Sequence, residues 1–198
     1  MKINKSLSIL FLGMIVVACS TNPFTGKQTL ALVPNSQILP MAFQQYSQFL
    51  SENKVVTGTA DANLVKSVGQ KIAAASERYL TANGYAGYLT DYRWEYNLVS
   101  SKEVNAWCMP GGKVAVYTGI MPVTQNDTGL AVVMGHEIAH AIAKHSNERI
   151  SQHLLAEYGG ATLGAVAGQG GGATATILNT AYGIGAGVGL MKFGRTQE

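Results

Sequence analysis

Charged residues are scarce in this sequence, and only two residues are cysteine. Asp, Glu, Lys and Arg together make up 13% of the 198 residues, whereas hydrophobic residues make up 47%. This apolar fraction excludes a disordered chain and favours one globular domain with a hydrophobic core. Two cysteines cannot build the framework of a small disulfide-rich protein, and we expect Cys108 to be a small buried apolar residue.

The net charge is small. The formal charge of +3 falls to +1 when Lys2 and Lys5 are removed with the N-terminal segment. A nearly neutral protein offers no electrostatic basis for binding nucleic acid, so we expect no nucleic-acid partner.

The first residues have the order of an export signal. Lys2 and Lys5 precede the apolar run Leu7 to Val17, which is too short to span a bilayer comfortably. The tetrapeptide Val16 to Cys19 resembles the lipobox of bacterial lipoproteins, which implies cleavage before Cys19 and acylation of that cysteine. The alternative is an ordinary signal peptide with an incidental cysteine. We therefore predict a signal peptide over residues 1–18, a lipid-anchored extended tether over 19–35 and one domain over 36–198.

Helices and strands are both indicated in the domain. Apolar spacing of three and four residues predicts helices, and alternation of apolar with polar residues predicts strands. The predicted elements are the helices Ser36–Asn53 and Asp61–Ala82, the strands Tyr92–Leu98 and Lys113–Thr118, and a helix that begins at Asn126 or Asp127. The fold class is α+β, mostly helical with a small sheet.

The segment from Tyr158 to Met191 contains no charged residue and is rich in glycine and alanine. We predict two close-packed helices that cover the helix before them. The alternative is membrane insertion or self-association, because Gly183 with Gly187 and Gly185 with Gly189 form GxxxG pairs.

His136-Glu137-Ile138-Ala139-His140 has the spacing of a zinc-binding helix motif. Residues four apart lie on one helix face, so His136 and His140 can direct two imidazole nitrogens to one ion. Glu137 projects about 100° around the helix, off the metal but within reach of its open position. Zinc lowers the pKa of water to about 7, and Glu137 is predicted to accept a proton as the water attacks a peptide carbonyl.

Spacing alone leaves the third metal ligand open. The extended metzincin motif would require histidine at position 146, which is Ser146. On a continuous helix His145 points away from the histidine pair, and Glu148 lies about 12 Å further along the helix. We therefore expect His145 to support or pack against a ligand. Glu157 and Glu198 both remain candidates.

Several motifs together resemble the metallopeptidase family of the CAAX prenyl endoproteases and HtpX-like proteases, nearest to its exported bacterial branch. They are Asn22-Pro23-Phe24-Thr25-Gly26, Asn105-Ala106 ahead of Pro110-Gly111-Gly112, Gly135 to His140, and Arg195-Thr196-Gln197-Glu198. The resemblance implies a zincin-like fold that binds one zinc ion per chain, with Glu198 as the third ligand. In that family an Ala-Asp pair and a further segment follow, so we expect this chain to be truncated at its C-terminus.

The resemblance also implies a substrate-binding strand. The predicted strand Lys113–Thr118 would pair at its edge with an extended peptide, through the main chain of Lys113, Val114, Ala115 and Val116. Asn105 would orient the turn or the substrate. The alternative is a purely structural strand.

The sequence thus predicts a zinc endopeptidase that cleaves unfolded or misassembled envelope proteins. The expected location is the bacterial cell envelope, with a lipid anchor at Cys19 on the periplasmic side of the outer membrane. The alternative is a non-catalytic lipoprotein of zincin shape that serves as a chaperone or assembly adaptor.

Overall fold

Helices and short strands alternate along residues 19–152, the part of the chain that the computed structural model describes. The elements are strands β1 (Cys19–Thr21), β2 (Gln28–Leu30), β3 (Val55–Val56), β4 (Glu95–Val99), β5 (Ala106–Met109) and β6 (Lys113–Tyr117), a 3-10 turn (Thr118–Ile120), and helices α1 (Asn35–Glu52), α2 (Ala60–Ala82), α3 (Met121–Thr124) and α4 (Asp127–Ile142). The predicted α+β class is confirmed. The predicted signal peptide, the predicted helices of Tyr158–Met191, Glu157 and Glu198 lie outside the described residues.

Side-chain caps fix where the two helices beside the site begin. Thr59 accepts a hydrogen bond from the Ala62 amide (3.1 Å) at the start of α2, while Asp61 lies in the first turn. Asn126 accepts one from the Gly129 amide (2.9 Å) at the start of α4. Each cap satisfies an amide that has no partner within its helix. None of the helices in residues 19–152 is both long and apolar enough to cross a membrane.

Four strands form the main sheet, in the order β3-β4-β6-β5. Strand β6 pairs in parallel with β4 and antiparallel with β5, so it is an interior strand. The prediction of an edge at Lys113–Thr118 is therefore wrong. Val114, Ala115 and Val116 are 0% exposed, which also rules out their contact with a substrate. The outer strand on that side of the described sheet is β5.

The sheet separates two layers of helices. On one face Leu98, Cys108 and Val114 pack with Met134 and Ile138 and with the apolar side of α2. The opposite face carries Val99, Met109, Ala115 and Tyr117, which pack against α1. A helix layer on each side buries the apolar run of β6 completely, as an interior strand requires. This arrangement places α4 directly against β5.

The N-terminal segment is a hairpin and not the extended tether predicted for residues 19–35. Strands β1 and β2 pair antiparallel from Cys19 with Leu30 to Thr21 with Gln28. Val33, after the hairpin, is 5% exposed and belongs to the α1 side of the core. Because Val33 lies in the core, the chain is already part of the packed structure before residue 36, the predicted start of the domain.

Two glycine substitutions should change stability in opposite directions. Gly69, inside α2, lies so close to the Tyr96 ring that an added methyl group would overlap it, whereas Gly135 on α4 has no neighbour within 4 Å of such a methyl group among residues 19–152. Replacing a helical glycine with alanine stabilises by about 1 kcal/mol, but overpacking costs about 1–3 kcal/mol. We expect Gly69→Ala to lower the free energy of unfolding by about 1–2 kcal/mol, and the control Gly135→Ala to raise it. Urea unfolding measures both, and an equal gain in the two variants would contradict this packing.

Candidate metal and catalytic site

His136 and His140 converge on the outward side of α4. Their Nε2 atoms are 3.0 Å apart, and their rings meet edge to face with centroids 4.4 Å apart. Two imidazole nitrogens on one tetrahedral zinc lie about 3.3 Å from each other, given zinc–nitrogen bonds of about 2.0–2.1 Å. The geometry of the pair therefore fits one shared metal ion.

Helix α4 ends directly after this pair. Its last helical residue is Ile142, and Lys144 adopts a left-handed backbone with φ of 60° before residues 145–152 resume a helix. The hydroxyl of Tyr92 donates to the carbonyl of Ala141 and that of Tyr88 to the carbonyl of Ile142, each at 3.0 Å. These two tyrosines satisfy carbonyls that a helix end leaves open, and the break turns the chain back towards the site.

The break brings His145 onto His140. The Nδ1 atoms of the two rings are 2.5 Å apart, on the side of the His140 ring opposite to the nitrogen that faces His136. The expectation that His145 points away from the pair assumed a continuous helix and is wrong. Its contact with His140 is that of a residue which orients a metal ligand through the ligand's second nitrogen.

The pKa of His140 is lowered to about 4, first by burial and then by electrostatic interactions with His136, His145 and Arg149. Burial also lowers the pKa of His145. A metal is coordinated by the neutral imidazole, so the lowered pKa of His140 fits the chemistry of a zinc ligand.

Glu137 is buried on α4, whereas His136 is exposed. Glu137 is 7% exposed, and it interacts electrostatically with Cys108 of β5. Burial, with the nearby Glu137 as the second cause, raises the pKa of the Cys108 thiol well above its ordinary value. The predicted burial of Cys108 is confirmed, since it is 4% exposed.

A cleft of about 700 Å³ opens beside the histidines. One wall belongs to α4 and the helical residues after the break, and the other belongs to the N-terminal hairpin. The lining residues are Asn22, Phe24, Thr25, Lys27, Gln28, Thr29, His136, Ala139, His140, Ala143, His145, Glu148 and Gln152. Glu148, which a continuous helix would place far from His140, thus lies on the same cleft. Sequence reasoning missed the hairpin wall, although the motif at Asn22–Gly26 belonged to the family resemblance.

Asn105 precedes β5 at the edge of the sheet. Its carbonyl accepts a hydrogen bond from the Tyr117 amide (3.0 Å), which fixes the entry into the strand. The side-chain nitrogen Nδ2 is buried and makes no hydrogen bond within the described residues. Asn105 is thus held at the end of the outer strand, where the sequence analysis expected a residue that orients the turn or a substrate.

Residues 19–152 show no third ligand arranged beside the histidine pair. This part of the chain contains no cluster of three His, Cys, Asp or Glu side chains arranged to hold a metal ion. Both candidates from the sequence, Glu157 and Glu198, lie outside the described residues.

A helix that directs two histidines to one point, and buries the glutamate that follows the first of them, is the architecture of zincin-type metallopeptidases. Residues 60–198 match the family model described as Peptidase family M48. The chain therefore belongs to peptidase family M48, and the predicted metallopeptidase family is confirmed.

Relatives of this chain carry metallopeptidase names. It is 43% identical over 63 residues to mitochondrial metalloendopeptidase OMA1 of Schizosaccharomyces pombe, a match that covers 32% of this chain and 19% of that protein. Metalloprotease LoiP of Escherichia coli is 33% identical over 109 residues, 52% of this chain and 42% of LoiP. Metalloprotease YcaL of E. coli is 24% identical over 139 residues, 67% of this chain and 54% of YcaL. The chain thus spans between about a fifth and about half of these relatives.

The thiol of Cys108 should be unreactive in the folded protein. In a Cys19→Ser variant, which leaves one thiol, we expect no reaction with Ellman's reagent at pH 8 and one thiol per chain after unfolding in urea. Burial keeps the reagent away from the thiol, and the raised pKa of Cys108 keeps the thiol from forming the reactive thiolate. A control that adds Val132→Cys, at a position 69% exposed on α4, should react at once. Rapid titration of Cys108 without denaturant would contradict its position.

Proposed function

We propose that this protein is a zinc-dependent endopeptidase. The observation that supports the proposal most directly is the convergence of the His136 and His140 Nε2 atoms at 3.0 Å, with Glu137 buried between them on the same helix. Membership of peptidase family M48 agrees with this chemistry.

His136 and His140 would hold one zinc ion per chain, with Glu198 as the third ligand by family resemblance. Both imidazoles would coordinate the metal through Nε2, the atoms at which the two rings converge. The second ring nitrogen of His140, Nδ1, contacts His145. Zinc, when bound, supplies a Lewis acid that polarises a peptide carbonyl and makes water more acidic. The exposed side of His136 leaves space next to the pair for a substrate carbonyl.

Glu137 would act as the general base. Its carboxylate accepts a proton from the attacking water and then delivers it to the amine of the leaving peptide fragment. A general base must be held in position, and the burial of Glu137 restricts the rotamers available to its side chain.

The substrate main chain would pair with β5, which replaces β6 as the binding strand. Strand β5 is the outer strand of the described sheet and lies over α4, on the side where Glu137 acts on Cys108. An extended peptide that adds to this edge gains main-chain hydrogen bonds with little demand on its sequence. Asn105 sits at the end of this edge, so its buried amide group can hold the peptide or the turn.

Binding through the main chain suits unfolded or misassembled polypeptides, because folded proteins offer few free extended segments. We propose such proteins of the bacterial envelope as substrates. The signal-like residues 1–18 and the lipobox at Cys19 support a lipid anchor, with the periplasmic side of the outer membrane as the location.

The substitution Glu137→Gln tests the enzyme assignment. It removes the base and keeps both histidines, so hydrolysis of denatured casein should fall about 10²–10⁴-fold while zinc stays stoichiometric. The control Glu77→Gln, on the exposed side of α2, should retain the rate. Zinc is measured by atomic absorption. Full hydrolysis by Glu137→Gln would refute the assignment, and peptide binding without turnover in the unchanged protein would favour the adaptor alternative.

His145 should influence the metal without binding it. His145→Ala removes the contact with His140 Nδ1, so we expect zinc affinity to fall about 10–100-fold. Competition with a chromophoric chelator measures this affinity. Gln152→Ala, on the same cleft wall, is the matched control and should keep the affinity of the unchanged protein. Equal affinities for His145→Ala and the control would show that the contact is not used.

A further inference from the structure

The turn between β1 and β2 is held rigidly by one buried side chain. The Asn22 side-chain oxygen accepts hydrogen bonds from the amides of Phe24 (2.9 Å) and Thr25 (3.2 Å). The main chain of Asn22 bonds to the Lys27 carbonyl (2.8 Å) and the Gly26 amide (2.9 Å). Asn22 itself is 5% exposed. These four bonds leave the residue at the tip of the turn, Phe24, in one fixed place.

Phe24 presents an apolar ring to solvent at that place. It is 38% exposed, and its ring centroid lies 5.8 Å from that of Tyr79, which is 48% exposed on α2. A single exposed apolar side chain is common in proteins and needs no explanation. Two large exposed aromatic rings in contact, one of them on a rigid turn, form a preorganised apolar surface.

This surface is continuous with the candidate site. Phe24 lines the same cleft as His136 and His140, with the apolar side chains of Ala139 and Ala143 on the opposite wall. The charged groups of the lining, Lys27 and Glu148, differ in sign, so the cleft has no single charge that would select acidic or basic peptides. Among neutral polar side chains, the cleft therefore offers an apolar contact at Phe24, Ala139 and Ala143.

We propose that Phe24, supported by Tyr79, binds an apolar side chain of the polypeptide substrate and so determines specificity next to the scissile bond. This inference rests on the proposed peptidase function and adds a side-chain preference to it. The occupant is the substrate because the ring lies inside the cleft of the catalytic histidines. Apolar side chains are what unfolded proteins expose, so this contact supplies selection that main-chain pairing lacks.

The test is a cleavage profile of the zinc-loaded full chain on a random peptide mixture, read by mass spectrometry. We expect enrichment of Leu, Ile, Val or Phe at one position relative to the cleaved bond. Phe24→Ser should abolish the enrichment at that position alone. On a matched pair of peptides with Leu or Ser there, the ratio of kcat/KM values should fall about tenfold or more. Phe24→Leu should restore most of the ratio.

Controls separate the contact from general damage to the protein. Val123→Ser alters another exposed apolar residue, 61% exposed on α3, and should keep the enrichment. Asn22→Ala, which unlocks the turn, should reduce the Leu-to-Ser ratio while zinc affinity stays constant. Unchanged enrichment in Phe24→Ser, or its loss in Val123→Ser as well, would overturn the proposal.

A binding measurement keeps the inference separate from the proposed function. In a Glu137→Gln background, fluorescence anisotropy gives the Kd for the Leu and Ser peptides without turnover. Absence of cleavage by the unchanged protein would refute the peptidase function, whereas a Leu preference in Kd that disappears with Phe24→Ser would still support the contact. Equal Kd values for the two peptides in the Glu137→Gln protein would refute the contact itself.

Discussion

The arrangement of the site depends on the end of α4 at Ile142. The hydroxyls of Tyr92 and Tyr88 cap the helix by donating hydrogen bonds to the carbonyls of Ala141 and Ile142. Lys144 then adopts a left-handed backbone conformation. A left-handed backbone conformation costs a non-glycine residue about 1 kcal/mol or more, so the surrounding contacts must stabilise it. The Lys144 ammonium group lies 4.8 Å from the centre of the Tyr88 ring, a cation–π contact that stabilises the turn. Without the break, His145 would not reach His140.

The helical period places the two histidines of α4 and Glu137 in different surroundings. His136 and His140 line the cleft, and Glu137, about 100° away around the helix, is buried and interacts electrostatically with Cys108 of β5. Strand β6 is interior and β5 is the outer strand of the described sheet, so the strand that interacts with Glu137 is also the outer one. In the proposed peptidase, the histidine pair and the general base would therefore occupy neighbouring faces of one helix.

Local spacing predicted the histidine pair and the helices, because these depend on contacts within a few residues. The break after Ile142 left no such trace, since neither Ala143 nor Lys144 is a glycine or proline and the capping tyrosines lie about 50 residues earlier. The order of strands is equally non-local. The continuous apolar run Val114 to Val116 nevertheless fits a strand buried on both faces, and it could have indicated that β6 is interior.

The same break ties the N-terminal hairpin to the site. Beyond it, Ser151 accepts a hydrogen bond from the Leu32 amide (2.9 Å), and Ile150 packs in the core with Val33. The N-terminal segment that forms one wall of the cleft and the residues that follow His145 therefore contact and stabilise each other. Acylation of Cys19, as proposed, would place the lipid at the first residue of β1, three residues before Asn22. Membrane attachment would then hold the cleft itself close to the bilayer, where polypeptides that fail to insert or assemble expose their apolar side chains.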